Sequence, residues 1–232
     1  MAIVTIGGLT GSGGRQLGQL VAEKLGADYV DRLILTSAAK QAGATVEALH
    51  QREQRPPTAG EWFSRFLQRV LERSAMSGAG ADPYFGPGAM AFLTQEYEDV
   101  PQPTITRGHE LEDEKYISVM RDVVKNLASS GNVVIVGRGG TMILKDMPDV
   151  LRIGVVANAD TRVARIMERE RVDKDQAKKI VADRDKARAF YFKRFFGIEN
   201  SSDPHLYHLT INTAQVSLEY AAEMVVKATE AL

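Results

Sequence analysis

The 232-residue sequence contains no cysteine and only four histidines, His50, His109, His205 and His208, which are scattered rather than grouped. Disulfides, thiolate zinc sites and cysteine nucleophiles are excluded, and a reducing compartment suits such a chain. An excess of either charge is also missing: 29 Lys and Arg stand against 30 Asp and Glu, a formal net charge of −1. That removes the global basic surplus of a duplex-binding protein, so no polymeric nucleic-acid partner is expected and any anion site must be local. No run of 18 apolar residues occurs, and Met1 to Ile6 carries no basic leader. A cytoplasmic protein with no membrane partner is therefore expected. What remains is ordinary, with 44% hydrophobic and 25% charged residues. The length allows one generous domain, residues 1–232, or a domain with an insert.

The patterning has the alternation of an α/β protein. Ala2 to Ile6 is a short β-branched run ending on Gly7-Gly8, as a buried parallel strand entering a tight turn reads. From Gln16 apolar residues take helical spacing, and Gly26 stops them. Asp28 to Asp31 is a second strand, followed by helical character from Leu33 to Ala42. Further strands are expected at Asn132 to Gly137, Val150 to Val156 and His208 to Asn212. Helices are expected near 112–129, 160–170, 174–196 and 216–232. Five strands separated by helices imply a parallel sheet covered on both faces, a three-layer arrangement. Residues 43–108 break the pattern with Pro56-Pro57 and a Gly/Ala/Pro-rich stretch from Ser77 to Ala91. They read as a helical insert. In it, Trp62, Phe63, Phe66, Leu67 and Val70 form one apolar helical face, a core surface or a contact between two copies in a homodimer.

Charge is uneven along the chain. Glu96 to Glu114 holds seven acids and one base, whereas 160–196 carries twelve Lys and Arg against seven Asp and Glu. Within the first, the acids from Glu110 to Glu114 are explained by the dipole of a helix opening near Leu111. The second is a basic helical segment able to receive phosphates.

The segment Gly8-Leu-Thr-Gly11-Ser-Gly13-Gly-Arg15-Gln16 follows a strand and precedes a helix, with Gly8 and Gly13 five apart. Such glycines let successive N–H groups turn inward at a helix N-terminus, which is the frame of a phosphate-binding P-loop. Gly14 and Arg15 stand where that frame has Lys and Ser or Thr. With a loop one residue longer, Arg15 takes the lysine position as a forked cation. Gln16 is a poor magnesium ligand. A dinucleotide fingerprint is the competing reading, since Gly11, Gly13 and Asp31 fit it, but Gln16 replaces its third glycine. A ligand-free turn is the other.

Taken together, Gly11-Ser-Gly-Gly-Arg15, Leu25-Gly26 through Tyr29-Val-Asp31, Val134-Ile-Val-Gly-Arg-Gly139, Arg162, Arg165, Arg184-Asp185 with Arg188, and Tyr207 to Thr213 resemble the cytidylate kinase-like branch of the P-loop nucleoside monophosphate kinases. The resemblance covers the chain outside Gly43 to Gly108. It implies a P-loop kinase fold with an acceptor-binding insert and an Arg-rich lid, and transfer of a phosphoryl group from ATP, with Mg²⁺, to a nucleoside monophosphate such as CMP. On that basis Gly8, Gly11, Ser12, Gly13, Gly14, Arg15 and Gln16 are the expected donor-phosphate residues, and Asp31, Arg32 and Arg138 the expected acceptor residues. Arg15, Arg184 and Arg188 are the expected catalytic charges, while Arg162, Arg165, Arg169 and Asp185 belong to the lid.

The sequence departs from the family at Gly14, where cytidylate kinases carry lysine, at Arg32, where serine is usual, and at Val136 and Gly139, where the signature around Arg138 has acids. Two other functions stay open on these departures. One is a nucleotide- or phosphate-sensing module without efficient turnover; the other is a kinase of a non-nucleotide metabolite. No metal ligand can be named from the sequence. Asp31 is either a water-mediated magnesium or acceptor contact or the N-cap of the next helix. Arg184 and Arg188, four apart, share a helix face on which Asp185 is expected to orient one of them. His205 and His208 read as structural, with no acidic partners expected for a metal site.

Overall fold

The computed structural model describes residues 2–31, 34–35 and 107–231, and in the helix that begins at Arg107 it describes side chains from Ile117 onward. The chain divides into two compact units, 1–36 with 124–232, and 37–123. Arg32, the apolar face around Trp62 and nearly all of the expected insert lie outside the described residues, as do the side chains of Glu110 to Glu114.

The first unit is a five-stranded parallel sheet. Strand β1 (Ile3–Gly8) leads through the glycine loop to helix α1 (Gly14–Leu25) and strand β2 (Asp28–Val30). Helix α2 (Arg107–Ser129), which begins in the second unit, leads to β3 (Val133–Val136), the short helix α3 (Gly140–Ile143) and β4 (Val150–Val156). Helices α4 (Ala159–Glu170) and α5 (Lys174–Phe196), a 3₁₀ turn (Pro204–Leu206), β5 (Leu209–Asn212) and α6 (Leu218–Thr229) complete it. The strand order is β2-β3-β1-β4-β5, with every pairing parallel.

The five expected strands and their order along the chain are present. Two boundaries differ usefully: β1 continues through Gly7 and Gly8, and α1 starts two residues earlier than its apolar period shows, at Gly14. Glycine hides both edges because it adds nothing to an apolar pattern. Helix α3, only four residues long, has no period to read.

β1 is buried on both faces from Val4 to Gly7, which is why it reads as a continuous apolar run. One core cluster joins β1, β3 and β4 to α1 and α6 through Ile6, Leu17, Val134, Ile153, Ala221 and Val225. Each fully buried aliphatic side chain there contributes roughly 1.5–3 kcal/mol of transfer free energy. The connection from β1 runs to β2 and that from β3 to β4, on opposite sides. The strand order therefore reverses between β1 and β3, and a crevice opens at their carboxyl ends, where open α/β sheets bind ligands. The glycine loop lies at one lip and Arg138 at the other.

Helices α4 and α5 form a hairpin with a small core of their own, Val163, Ile166, Ala177 and Val181. The Asp173 carboxylate accepts the Asp175 and Gln176 N–H groups to start α5, and Gly197 ends it in the left-handed conformation.

Candidate functional site

The loop between β1 and α1 is built from main chain. Gly11 has φ +80° and Gly13 φ +83°, values that L side chains rarely adopt. A Cβ on Gly11 would lie 2.6 Å from the Arg162 carbonyl oxygen, so the loop rests directly on the backbone of α4. Gly13 is the N-cap of α1 and supplies no side-chain bond. The N–H groups of Gly14, Arg15 and Gln16, the first three of the helix, therefore have no intrahelical acceptor and sit at the positive end of its dipole. Ser12 is buried, and its hydroxyl has no hydrogen-bond partner among the described residues. Unfilled donors and an orphaned buried hydroxyl at a helix N-terminus fit an oxyanion ligand.

Four side chains hold this loop from outside. Arg165 donates from Nη1 to Thr213 Oγ1 at 2.8 Å and to the Gly11 carbonyl at 3.3 Å, and from Nη2 to the Thr213 carbonyl at 2.8 Å. Thr213 Oγ1 in turn donates to the Ser12 carbonyl at 2.8 Å. Arg162 donates from Nη1 to the Thr10 carbonyl at 3.2 Å and to Asp185 Oδ2 at 2.5 Å. Asp185 Oδ1 accepts the Thr10 N–H at 2.9 Å. Of the three arginines expected in the lid, Arg162 and Arg165 contact the loop, whereas Arg169 turns to its neighbour Glu170 at 2.7 Å.

Arg15, expected at the place of the missing lysine, reaches the end of β2. Its Nη2 lies 2.9 Å from Asp31 Oδ2, the carboxylate at the end of β2. The structure therefore joins a residue expected on the donor side to one expected on the acceptor side. Burial alone would lower the Arg15 pKa, but Asp31 and Tyr29 outweigh it and keep the guanidinium charged. Burial, with Asp31 adding to it, pushes the neighbouring Tyr29 hydroxyl up against the opposing charge of Arg15, so Tyr29 stays a neutral phenol. Asp31 also caps the turn that follows: its carbonyl accepts the Leu35 N–H at 3.0 Å, and its Oδ1 lies 3.4 Å from the Ile34 nitrogen. Of the two roles considered for Asp31, the cap is the one these contacts bear on, and the same carboxylate pairs with Arg15.

Arg184 and Arg188 share a face, but their surroundings differ. Arg184, 7% exposed, makes a two-pronged pair with Glu170, its Nη2 3.1 Å from Oε2, and braces the α4–α5 hairpin from within. Burial would raise the Glu170 pKa, but hydrogen bonds from Arg184 and Arg169 hold it below the usual carboxylate value. Arg188 donates from Nε to Ser201 Oγ at 3.1 Å and from Nη2 to the Tyr207 hydroxyl at 3.3 Å, and its guanidinium lies 4.3 Å from the centre of the Phe192 ring. Asp185 orients neither of them: turned about a third of a helical turn away, it contacts Arg162 and the loop instead.

Tyr207, Ser201, Glu170 and Thr213 carry this framework without having been singled out for it. Tyr207 lies over the paired glycines Gly7 and Gly154. A Cβ at Gly154 would come within 2.8 Å of its ring, and one at Gly7 within 3.0 Å of its hydroxyl. Its hydroxyl donates to the Ser201 carbonyl at 2.8 Å. The visible signal was glycine facing glycine on adjacent strands, legible only once the register is known.

Across the crevice, Gly137, Arg138 and Gly139 take left-handed conformations in succession. The Arg138 carbonyl accepts from the Tyr191 hydroxyl at 3.2 Å, which ties the end of β3 to the aromatic end of α5. Gly139 is required there, since a Cβ would lie 2.6 Å from the Phe196 ring. His205 does have an acidic neighbour, Asp203 at 2.7 Å, while His208 Nδ1 accepts from the Arg152 N–H at 3.3 Å. Among the described residues no three His, Asp or Glu side chains gather to hold a metal. No described helix is long and apolar enough to cross a membrane.

A five-stranded parallel sheet of this order, with a glycine loop at the end of its central strand and two arginines reaching it from the helix that follows β4, defines an α/β protein of the P-loop kinase fold. The chain belongs to the cytidylate kinase-like family, whose model matches residues 3–215 and so runs through the region of the insert as well. It is 31% identical over 164 residues to a cytidylate kinase of Aeropyrum pernix, covering 71% of this chain and 89% of that one. A cytidylate kinase of Methanocaldococcus jannaschii is 35% identical over 96 residues, 40% of this chain and 53% of that one. Among solved structures, an uncharacterized protein from Eubacterium ventriosum superimposes with a TM-score of 0.64 at 19% identity, each chain covered in full.

Proposed function

We propose that this protein is an ATP-dependent nucleoside monophosphate kinase whose acceptor is CMP or a close analogue. The observation that carries the proposal is the glycine loop, with its first-turn amides unfilled by any cap, at the crevice between β1 and β3. The family and the cytidylate kinase relatives support phosphoryl transfer between nucleotides as the chemistry. The donor phosphates would lie on the amides of Gly13 to Gln16. The Arg15–Asp31 pair at the end of β2 and Arg138 at the end of β3 would face the acceptor. Phosphoryl transfer requires little covalent work of the protein, so orientation and neutralisation of negative charge by Arg162, Arg188 and the loop amides would supply most of the rate. Mg²⁺ would be carried largely by substrate phosphates and water, as is usual for this ion.

ADP formation from ATP and Mg²⁺ against a panel of nucleoside monophosphates tests the reading, with Arg15→Ala and Arg188→Ala as controls. Turnover dependent on CMP or a related nucleotide, and lost in both variants, is the expected result. Gly14 in place of lysine favours one second reading, a nucleotide-binding module with weak turnover. Binding of ATP without acceptor-dependent ADP would select it.

A further inference from the structure

One acidic side chain among the described residues lies on the phosphate loop itself. Asp185 reaches it from the middle of α5, accepting the Thr10 N–H through one oxygen and Arg162 through the other, while Arg162 also donates to the Thr10 carbonyl. Thr10 is thus gripped at its N–H and its C=O, and both gripping side chains are four-fifths or more buried. The contact is long-range in sequence, 175 residues apart, and the hairpin that delivers it has a separate small core.

A carboxylate on an N–H of an anion-binding loop occupies that donor as a phosphate oxygen would. A polyphosphate entering beside it meets a like charge in a partly desolvated place, where repulsion is much stronger than in water. We infer that Asp185 is an internal anion clasp: it holds α5 on the phosphate loop when no nucleotide is bound, and it must leave Thr10, releasing Arg162, for the terminal phosphates of a nucleoside triphosphate to settle. The inference rests on the phosphate-loop reading above and adds a regulatory contact to it. Binding and lid movement are then one equilibrium, and the clasp reduces apparent affinity by the fraction of closed molecules.

The test is calorimetric binding of ATP and of inorganic tripolyphosphate to the full chain at one salt concentration. Asp185→Ala, which removes both the acceptor and the charge, is expected to bind each about 3- to 10-fold more tightly than the unaltered protein. Asp185→Asn keeps an acceptor for Thr10 and should fall between them; it also serves if the alanine variant fails to fold. Asp183→Asn makes the same charge change at an exposed position on the same helix and is expected to bind as the unaltered protein does. In the absence of ligand, Asp185→Ala should also cleave faster within 159–196 on limited proteolysis. Unchanged or weaker binding by the Asp185 variants, or an equal gain in Asp183→Asn, overturns the clasp while leaving the phosphate site standing. Absence of ATP and tripolyphosphate binding in every protein, the unaltered one included, removes the phosphate site and the clasp with it.

Discussion

The phosphate loop and the α4–α5 hairpin touch each other yet are held by different forces. The loop's shape comes from glycine backbone angles and close contact with main chain, above a cluster of fourteen buried apolar residues. The hairpin has four such residues, and much of the rest of its order comes from guanidinium–carboxylate pairs, Arg184 with Glu170 and Arg162 with Asp185. A backbone nest above a large core owes its own shape to main-chain angles and packing rather than to charge. A hairpin with so small a core depends on its charge pairs for much of its order.

Five changes probe that contrast. Removing Arg184 leaves Glu170 in a largely buried place with half its pairing gone, and breaking such a pair costs about 3 kcal/mol. Arg184→Ala should abolish hydrogen-exchange protection across 159–196 while amides of β1, β3 and β4 stay protected; joint loss in the sheet would show that hairpin and sheet are one cooperative unit. On the loop side, Gly11→Ala forces a Cβ against the Arg162 carbonyl and strains a positive φ, at about 2 kcal/mol. Its urea midpoint should fall by the same amount in low and high salt, and a salt-dependent loss would contradict main-chain strain as the cause.

Acid sharpens the same division. Because Glu170 has a lowered pKa in the folded protein, the unfolded chain takes up its proton first as pH falls below the ordinary value of 4.5. The pair's contribution is complete above that value and is lost as pH drops through the depressed one. Proteolysis within the hairpin should therefore rise with acidification in that window, and Glu170→Gln should flatten the rise. Tyr207→Phe removes one hydroxyl that bonds Ser201 and Arg188, an effect of about 1 kcal/mol on thermal unfolding. The smallest change is expected at Lys193→Ala: its pair with Glu199 is exposed on both sides and is worth within about 0.5 kcal/mol. A larger loss there would mean that even surface pairs hold this hairpin.

Much of the architecture is legible in the chain because short-range rules govern it. The apolar run ending on Gly7-Gly8, the helical spacing from Leu17 to Leu25 and the glycine stop at Gly26 each report a local conformation. The phosphate loop is legible for the same reason, since its chemistry is that of consecutive backbone amides. Individual arginines are not. Arg184 and Arg188 have the same spacing in a functional as in a structural helix, yet one rise of about 6 Å along α5 moves the surroundings from Glu170 to Ser201 and Tyr207. Arg15 looked like the substitute for an absent lysine by position in the loop, but its partner lies at the end of another strand.

The sequence by itself determined an α/β chain with a parallel sheet, a glycine loop at Gly8 to Gln16 and a basic segment after β4, because each is written in periodicity, glycine spacing or net charge over neighbouring residues. Only the tertiary structure decided which charge meets which: Arg15 with Asp31, Arg184 with Glu170, Asp185 with Thr10 and Arg162. Those pairs lie between 14 and 175 residues apart. Side chains at such separations are matched by strand order and helix packing, which no local pattern encodes.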